Sequence, residues 1–282
     1  GGVNSCAPHT GKTVLDFASL TFPAGKCMWM YWNHGGAVDR AARGIAWDDT
    51  NSVDHLSEVE QKELMAYGVQ ALGKPFEAIG FDACLMATAE IYYQYRNFGK
   101  YMAASEQTEP GDGWDYRFLN VLKSNPSCDG NVATKAIFDY YKAWYSSYSD
   151  VTFSTVDLSY ADDLGTAIGA FASAAMDSGV SGSTFKSLAS NMSTFSGYTK
   201  DLVGYMNAIL ASSSVTQTVK DKASAVKSVA TGYLVKNNWY GFTWSNKAFG
   251  TSITLKADTT VYSQLDICAD TSWDEFLSFA GF

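Results

Sequence analysis

The sequence lacks both an excess of positive charge and a long apolar segment. Its 282 residues include 20 lysines and arginines against 29 aspartates and glutamates, which gives a formal net charge of −9. Nucleic acids and anionic membranes both attract basic protein surfaces, so this balance argues against either partner. No run of about 18 apolar residues occurs, and we therefore expect no membrane-spanning helix.

Paired cysteine motifs are also lacking. No two cysteines have the CxxC spacing, so the sequence predicts neither a zinc site nor a disulfide framework. An odd number of cysteines leaves at least one thiol free unless a partner chain takes it. The cysteines are Cys6, Cys27, Cys84, Cys128 and Cys268.

The sequence does contain an alternation of strand-like and helix-like segments. The strand-like segments are short apolar or β-branched runs, typical of strands buried in a sheet. Helical patterns separate them, one of which opens with a capping box at Ser57 and Glu60. This order predicts an α/β fold with a parallel sheet and crossover helices. The predicted strands cover residues 27–32, 77–82, 101–105 and 151–156, and residues 37–56 are interpreted as a loop.

The composition changes after residue 157. Residues 159–230 are rich in alanine and serine at helical spacing and predict three or four helices, whereas residues 238–255 return to strand character. A helix that Ser272 caps is expected to close the chain. The predicted organisation is a core in residues 1–157, a helical subdomain in 158–235, and strands and a helix in 236–282 that pack back on the core.

The stretch around Cys84 is the first candidate for chemistry. An apolar strand over residues 77–82 is followed by Cys84 and then by helical spacing. A thiol at a strand-to-helix junction would face the first free N–H groups of the helix, which stabilise a thiolate and an oxyanion. A cysteine nucleophile also needs a base. Of the three histidines, His34 alone follows a predicted buried strand, at the sheet edge where ligands bind.

Each of these residues also has a purely structural interpretation. A lone cysteine after a strand is more often a small buried hydrophobic side chain, and a turn histidine can simply end a strand. Trp29 and Trp32 are interpreted as core residues. The acidic run of Glu106, Glu109, Asp112 and Asp115 is interpreted as a solvated loop. Asp82 is less easily explained, because burying a carboxylate at a strand end costs free energy unless a positively charged group binds to it.

Three blocks of sequence carry a family resemblance. They are residues 33–36 (NHGG), 80–87 (GFDACLMA) and 101–114 (YMAASEQTEPGDGW), with weaker blocks at residues 43–49 and 270–277. Their order and spacing resemble the clostripain family of cysteine peptidases, which shares a clan with caspases, legumain and gingipains. The resemblance implies a caspase-like three-layer α/β/α sandwich with a mostly parallel central sheet.

The resemblance also implies an activity and a set of site residues. It implies an endopeptidase that cleaves after Arg or Lys through an acyl-enzyme, with Cys84 as nucleophile and His34 as proton donor. The N–H groups of Gly35 and Cys84 would form the oxyanion hole, and Asp82 and Asp112 would bind the basic side chain. A transpeptidase or ligase with the same dyad, or a non-catalytic binding module on this scaffold, are the alternatives.

The sequence departs from the family pattern ahead of His34. Family members carry further strands there, so either these strands lie on a light chain cut from the same precursor or the sequence is a fragment. We expect a light chain, which would cover the exposed edge of strand 27–32. Family enzymes are often self-cleaved between histidine and cysteine, where Arg40 and Arg43 are the candidate sites. The chain starts without Met and is interpreted as a processed, secreted or cell-envelope product.

No metal site and no organic or redox cofactor are predicted. Some relatives depend on calcium, which an acidic loop could hold, although surface acidity is the simpler explanation. Its residues are Asp48, Asp49 and Asp54.

Overall fold

A computed structural model describes residues 3–36, 44–52, 54–256 and 262–282. These residues form a central sheet with helices on both faces and two small two-stranded sheets. The strands are β1 (Met28–Trp32), β2 (Ile45–Asp48), β3 (Asp54–Leu56), β4 (Phe76–Asp82), β5 (Gly99–Ala104), β6 (Thr152–Asp157), β7 (Thr199–Asp201), β8 (Val235–Tyr240) and β9 (Ser252–Thr254). The α-helices are α1 (Pro8–Thr21), α2 (Glu58–Leu72), α3 (Ala89–Tyr95), α4 (Leu119–Ser124), α5 (Gly130–Trp144), α6 (Ala161–Asp177), α7 (Gly182–Ser190), α8 (Leu202–Ala211), α9 (Gln217–Val229), α10 (Asp266–Asp270) and α11 (Trp273–Ala280).

The central sheet has the strand order β1-β4-β5-β6-β8. The pairs β1–β4 and β4–β5 are parallel, which confirms the expected mostly parallel sheet. Strand β6 runs antiparallel to both of its neighbours, contrary to the simple crossover pattern. It does so because the chain re-enters the sheet at the edge where β5 ends, where the Ser105 hydroxyl donates to the Thr152 carbonyl at 2.7 Å.

Two separate cores on the two faces of the sheet produce three layers. Met102 points into a core shared with α2, α3, α6, α8 and α9, whereas its neighbour Ala103 points into a core shared with α5. This alternation is the period of two expected of a strand that is buried on both faces. Helices α6 to α9 therefore pack around the same continuous core as α3 rather than around one of their own.

Helix α2 begins where the sequence predicts it. The Ser57 side chain accepts from the Glu60 N–H, and the Glu60 carboxylate accepts from the Ser57 N–H at 3.0 Å, which completes the capping box. The helix ends at Gly73, whose φ of 67° fits the left-handed conformation that glycine adopts without strain.

Three local predictions were wrong. Residues 45–48 and 54–56, interpreted as part of a loop, form an antiparallel hairpin. Hydrogen bonds to the side chains of Asn33 and Asp48 support it, and the sequence has no strand pattern that would predict them. Strand β7 was missed because three residues carry too little periodicity, and its partner β9 is distant in sequence. Ser272 precedes α11 but makes no side-chain capping bond.

Strand β1 lies at an edge of the central sheet in the part of the chain that the structure describes. An apolar groove of about 310 Å³ runs beside it, between α1 and the start of the strand. Large apolar side chains next to this groove are exposed, among them Phe17, Leu20 and Phe22. This edge is thus the apolar surface that the sequence predicts for strand 27–32.

Candidate active site

Parallel pairing of β1 and β4 brings the histidine and cysteine segments together. Trp32 is in register with Asp82, and each strand ends at that pair. His34 and Cys84 therefore each follow their strand end by two residues. A Cβ atom added to Gly35 would lie 2.5 Å from the Cys84 carbonyl oxygen, so only glycine lets the two turns approach this closely.

Asn33 fixes the turn that carries His34. Its side-chain oxygen accepts from the N–H groups of His34 at 2.6 Å and Trp47 at 3.1 Å, and its amide donates to the Trp47 carbonyl. The His34 carbonyl in turn accepts from the Ala46 N–H at 3.2 Å. The hairpin of β2 and β3 thus holds the backbone of the histidine turn, while the imidazole side chain remains exposed.

Cys84 lies in a turn and not at a helix N-terminus. Helix α3 begins only at Ala89, with Thr88 as its cap, so the predicted junction was wrong. Leu85 has a φ of 66°, which is not helical, and its N–H group donates to the Gln107 carbonyl at 3.2 Å. The backbone after Cys84 therefore does not start a helix at once. The N–H group that reaches the Cys84 sulfur belongs instead to Glu109, at 3.2 Å.

His34 and Cys84 line one cleft of about 470 Å³. Trp32, 70% exposed, forms part of its wall, which corrects its interpretation as a core residue. Asp82 and Glu109 also line the cleft. The arrangement places a thiol, an imidazole and three carboxyl groups, those of Asp49, Asp82 and Glu109, around a single concave surface. The remaining lining residues are Asn33, Trp47, Ala83, Pro110, Gly111 and Gly113.

Asp82 is almost fully buried, with 3% of its surface exposed. One carboxylate oxygen accepts from the Trp114 N–H and from the Tyr116 hydroxyl, both at 2.9 Å. Burial raises the pKa of Asp82, and these hydrogen bonds only partly counteract it. Asp82 is thus a desolvated acid at the inner surface of the cleft.

Glu109 is the second acid of the cleft, a half-buried residue whose carboxyl group is shielded from solvent. Its Oε2 atom accepts from the Trp114 indole N–H at 2.8 Å, and its Oε1 atom is inaccessible to solvent and receives no donor from the described residues. Burial raises the pKa of Glu109 well above its usual range, and the neighbouring charge of Asp82 raises it further. Two carboxyl groups in contact cannot both ionise easily, so Glu109 keeps a proton to a higher pH than a free glutamate.

Asp112 lies apart from this pair. Its side chain is exposed, and it is not among the residues that line the cleft. Gly113 lines the cleft instead, with a φ of 69°. A Cβ atom at Gly113 would lie 3.0 Å from both an Asp82 carboxylate oxygen and the Trp32 indole nitrogen, so the missing side chain keeps the space above Asp82 open.

Sequence reasoning missed Glu109, because it placed the whole acidic run in a solvated loop. That interpretation was wrong for Glu106, which is 1% exposed, and for the shielded carboxyl group of Glu109. It was also wrong for Asp115, whose side chain is 6% exposed and pairs with Arg117. The signal available in the sequence was local. Pro110 and Trp114 lie within the run, and rings next to acids in a short loop favour partial burial of the carboxyl groups.

The same loop carries a second carboxyl pair, away from the cleft. Glu106 contacts Asp201 at the start of α8, and its Oε2 accepts from the Gly250 N–H at 2.9 Å. Asp201 accepts from the N–H groups of Gly204 at 2.5 Å and Phe249 at 2.6 Å. Burial raises the pKa of Glu106 well above its usual range, and the Asp201 charge adds to that rise. Glu106 therefore carries the proton that the two groups share.

The acidic hairpin fits calcium poorly. The Asp48 carboxylate already accepts from Ser5, Thr50 and Asn51, which lowers its pKa chiefly through the Thr50 hydroxyl. In the described ranges no three His, Cys, Asp or Glu side chains converge as a metal site would require. The absence of a required cofactor stays a prediction.

Two further sequence predictions concern self-cleavage and membrane spans. The candidate cleavage sites Arg40 and Arg43 lie outside the described residues. Among the described helices, none is both long enough and apolar enough to cross a membrane.

The family assignment comes from comparison with known proteins. The clostripain family model matches residues 2–278. This chain belongs to the clostripain family of cysteine peptidases. It is 32% identical to clostripain of Hathewaya histolytica over 108 residues, a match covering 32% of the chain and only 18% of that protein.

Solved structures support the fold. The chain is similar to a secreted C11 cysteine protease of Bacteroides thetaiotaomicron in complex with an irreversible peptide inhibitor, with 18% identity and a TM-score of 0.71 over 100% of this chain and 80% of that one. It is also similar to an inactive zymogen C11 protease of Parabacteroides distasonis, with 17% identity and a TM-score of 0.65 over 98% and 77% of the two chains. The caspase-like sandwich is therefore confirmed.

Proposed function

We propose that this protein is a cysteine endopeptidase that hydrolyses peptide bonds after arginine or lysine. The observation that carries the proposal is the cleft itself, in which Cys84 and His34 lie beside the buried Asp82 and the shielded carboxyl group of Glu109. A guanidinium or ammonium group supplies the positive charge that such a desolvated acid lacks. The family membership supports the same chemistry.

Cys84 acts as the nucleophile. The N–H group of Glu109, 3.2 Å from the sulfur, stabilises the thiolate, which attacks the carbonyl carbon of the scissile bond. No acceptor is found in the described residues for the N–H groups of Gly35 and Cys84, which supports their assignment as the oxyanion hole. His34 protonates the leaving amine, and a water molecule then hydrolyses the thioester with His34 as the base.

Asp82 binds the basic side chain of the residue before the scissile bond. Its burial and its place at the inner surface of the cleft support this role. Asp112 is proposed as a contributor at longer range, since its carboxylate is exposed outside the cleft lining and its attraction is screened by solvent. The apolar walls supplied by Trp32 and Trp47 suit the methylene chain of Arg or Lys.

Hydrolysis of arginyl, lysyl and citrullyl peptide amides tests the proposal. The wild-type protein is expected to cleave the first two and to discriminate against citrulline, which has the shape of arginine without its charge. Cys84→Ala is expected to remove turnover while the circular dichroism spectrum stays unchanged. Turnover in the Cys84→Ala variant would contradict the dyad, and equal rates for arginyl and citrullyl substrates would contradict the acidic pocket. A competing amine in the same assay separates hydrolysis from transpeptidation.

We also propose that a light chain from the same precursor pairs with the β1 edge, and that the protein acts outside the cytoplasm. The unpaired edge of β1 among the described residues and the exposed apolar side chains of α1 support the first proposal. The description of one structural relative as secreted supports the second. Intact mass of the purified active enzyme is expected to reveal two polypeptides. A single species would contradict the light chain.

A further inference from the structure

Glu109 occupies a position that links the pocket to the nucleophile. Its backbone N–H reaches the Cys84 sulfur at 3.2 Å, and its carboxyl group lies against that of Asp82. Both residues line the cleft, so a side chain that enters to meet Asp82 also meets Glu109. Glu109 is therefore better placed than the exposed Asp112 to supply the second carboxylate of the pocket.

No lysine or arginine among the described residues compensates the charge of the two carboxyl groups. Asp82 on β4 is met by the Trp114 N–H and the Tyr116 hydroxyl, and Glu109 by the Trp114 indole. Tyr141 of α5 and Tyr145, which follows that helix, face the pair as neutral phenols. Cys84 is a further titratable neighbour, and His34 and Asp49 line the same cleft. No described Lys or Arg forms an ion pair with either carboxyl group.

We infer that Glu109 is a specificity-determining residue, and that the empty pocket holds one proton between Glu109 and Asp82 which a basic side chain displaces. This inference rests on the proposed function, whose acidic pocket it completes. In the empty cleft the pair carries a single negative charge and a carboxyl-to-carboxylate hydrogen bond. When a guanidinium or ammonium group enters, the proton passes to solvent and two carboxylates face one cation. Binding of a basic side chain is then coupled to proton release.

The direction of the pH dependence follows from this coupling. The pKa of Glu109 is raised by burial first and by Asp82 second, so the empty pocket keeps its proton to a higher pH than a free glutamate does. A cation must compete with that proton, and affinity for a basic side chain therefore falls as the pH is lowered. A pocket with Asp82 alone would exchange a proton only at the lower pH where Asp82 itself titrates.

Calorimetry with benzamidine, an amidinium that mimics the arginine side chain, tests the inference. Titration near pH 6 in buffers of different ionisation enthalpy measures the number of protons released per molecule bound. The wild-type protein is expected to release about one proton. Glu109→Gln keeps the shape of the side chain and the backbone N–H group, but its amide does not titrate. The variant is therefore expected to release almost no protons and to bind benzamidine roughly tenfold more weakly.

Asp139→Asn is the matched control, because it makes the same carboxyl-to-amide change at an exposed site on α5. It is expected to behave as the wild type. Equal proton release from wild type and Glu109→Gln, or no binding of benzamidine at millimolar concentration, would overturn the inference. The wild-type measurement alone decides the proton count if the glutamine variant fails to fold.

Failure of the inference and failure of the proposed function give different results. Benzamidine binding does not require turnover. A protein that cleaves arginyl amides without releasing a proton on binding keeps the proposed function and loses the inference. A protein that releases the proton but cleaves no peptide keeps the acidic pocket and loses the peptidase activity.

Discussion

The two carboxyl pairs of the loop after β5 have the same chemistry and opposite surroundings. Glu106 meets Asp201 in a closed interior, where N–H groups of Gly250, Gly204 and Phe249 hold the pair. Glu109 meets Asp82 at the surface of the cleft. Burial alone therefore does not identify a functional acid. The closed pair anchors the loop to α8 and β9, whereas the open pair has room for a ligand.

Asp82→Asn is expected to have the largest effect. It removes the buried charge from the pocket while retaining the shape of the side chain. Loss of one partner of a buried charge pair costs about 3 kcal/mol, or roughly 100-fold in kcat/KM for an arginyl substrate. Steady-state kinetics on matched arginyl and citrullyl peptides measure it, and the citrullyl rate is expected to change little. A proportional loss for both substrates would show that Asp82 acts on the fold and not on charge recognition.

Asp201→Ala breaks the closed pair instead. It removes the side-chain cap of α8 and leaves the Phe249 N–H without its acceptor, so the free energy of unfolding is expected to fall by about 2 to 3 kcal/mol. Urea denaturation measures this change. The ratio of arginyl to citrullyl turnover is expected to remain that of the wild type at a temperature where the variant is folded. A changed ratio would mean that the two pairs are not independent.

Gly113→Ala tests whether substrate binding uses the space that Gly113 leaves open above Asp82. The new methyl group would stand 3.0 Å from Asp82 and from the Trp32 indole, so kcat/KM for arginyl substrates is expected to fall roughly tenfold through KM. Gly73→Ala is the control, because Gly73 has a similar φ of 67° but no atom within 4 Å of an added Cβ. Both variants lose about 1 kcal/mol of stability from strain, and only the first should lose activity. Equal activity of the two would show that the space above Asp82 is not used.

Glu106→Gln is expected to have the smallest effect, and its sign depends on pH. Glu106 has a raised pKa in the folded protein, so its protonated form stabilises the fold below the unfolded pKa, and that stability is lost as the pH rises through the folded value. A glutamine side chain at position 106 can donate a hydrogen bond to Asp201 at every pH, as the protonated Glu106 does at low pH. Relative to wild type, the variant should gain unfolding free energy as the pH is raised from 5 to 8. Parallel denaturation curves at the two pH values with no relative gain would contradict the shared proton.

Much of the fold could be predicted from the sequence because its signals are local. The apolar runs of β1 and β4 and the capping box of α2 each specify their element without distant partners. The antiparallel direction of β6 could not be predicted, because it depends on where α5 returns the chain to the sheet. Strand β7 depends likewise on β9, some fifty residues further along the sequence.

The candidate site could be predicted in part. Parallel strands that end together place His34 and Cys84 at one edge, so their proximity follows from strand order. The helix N-terminus expected behind Cys84 is absent because Leu85 adopts a left-handed conformation, which its own preference does not predict. Glu106 meets Asp201 and Glu109 meets Asp82, both far along the chain, so the sequence could not distinguish the surroundings of one from those of the other.

Covalent labelling tests the central claim most directly. Wild-type protein and Cys84→Ala would be treated with peptidyl acyloxymethyl ketones that end in arginine or in citrulline, followed by intact-mass analysis and peptide mapping. The expected result is one adduct on Cys84 of the wild type, formed much faster with arginine than with citrulline, and none on the variant. An adduct on another cysteine, or equal rates for the two probes, would contradict the assignment of nucleophile or acidic pocket, respectively.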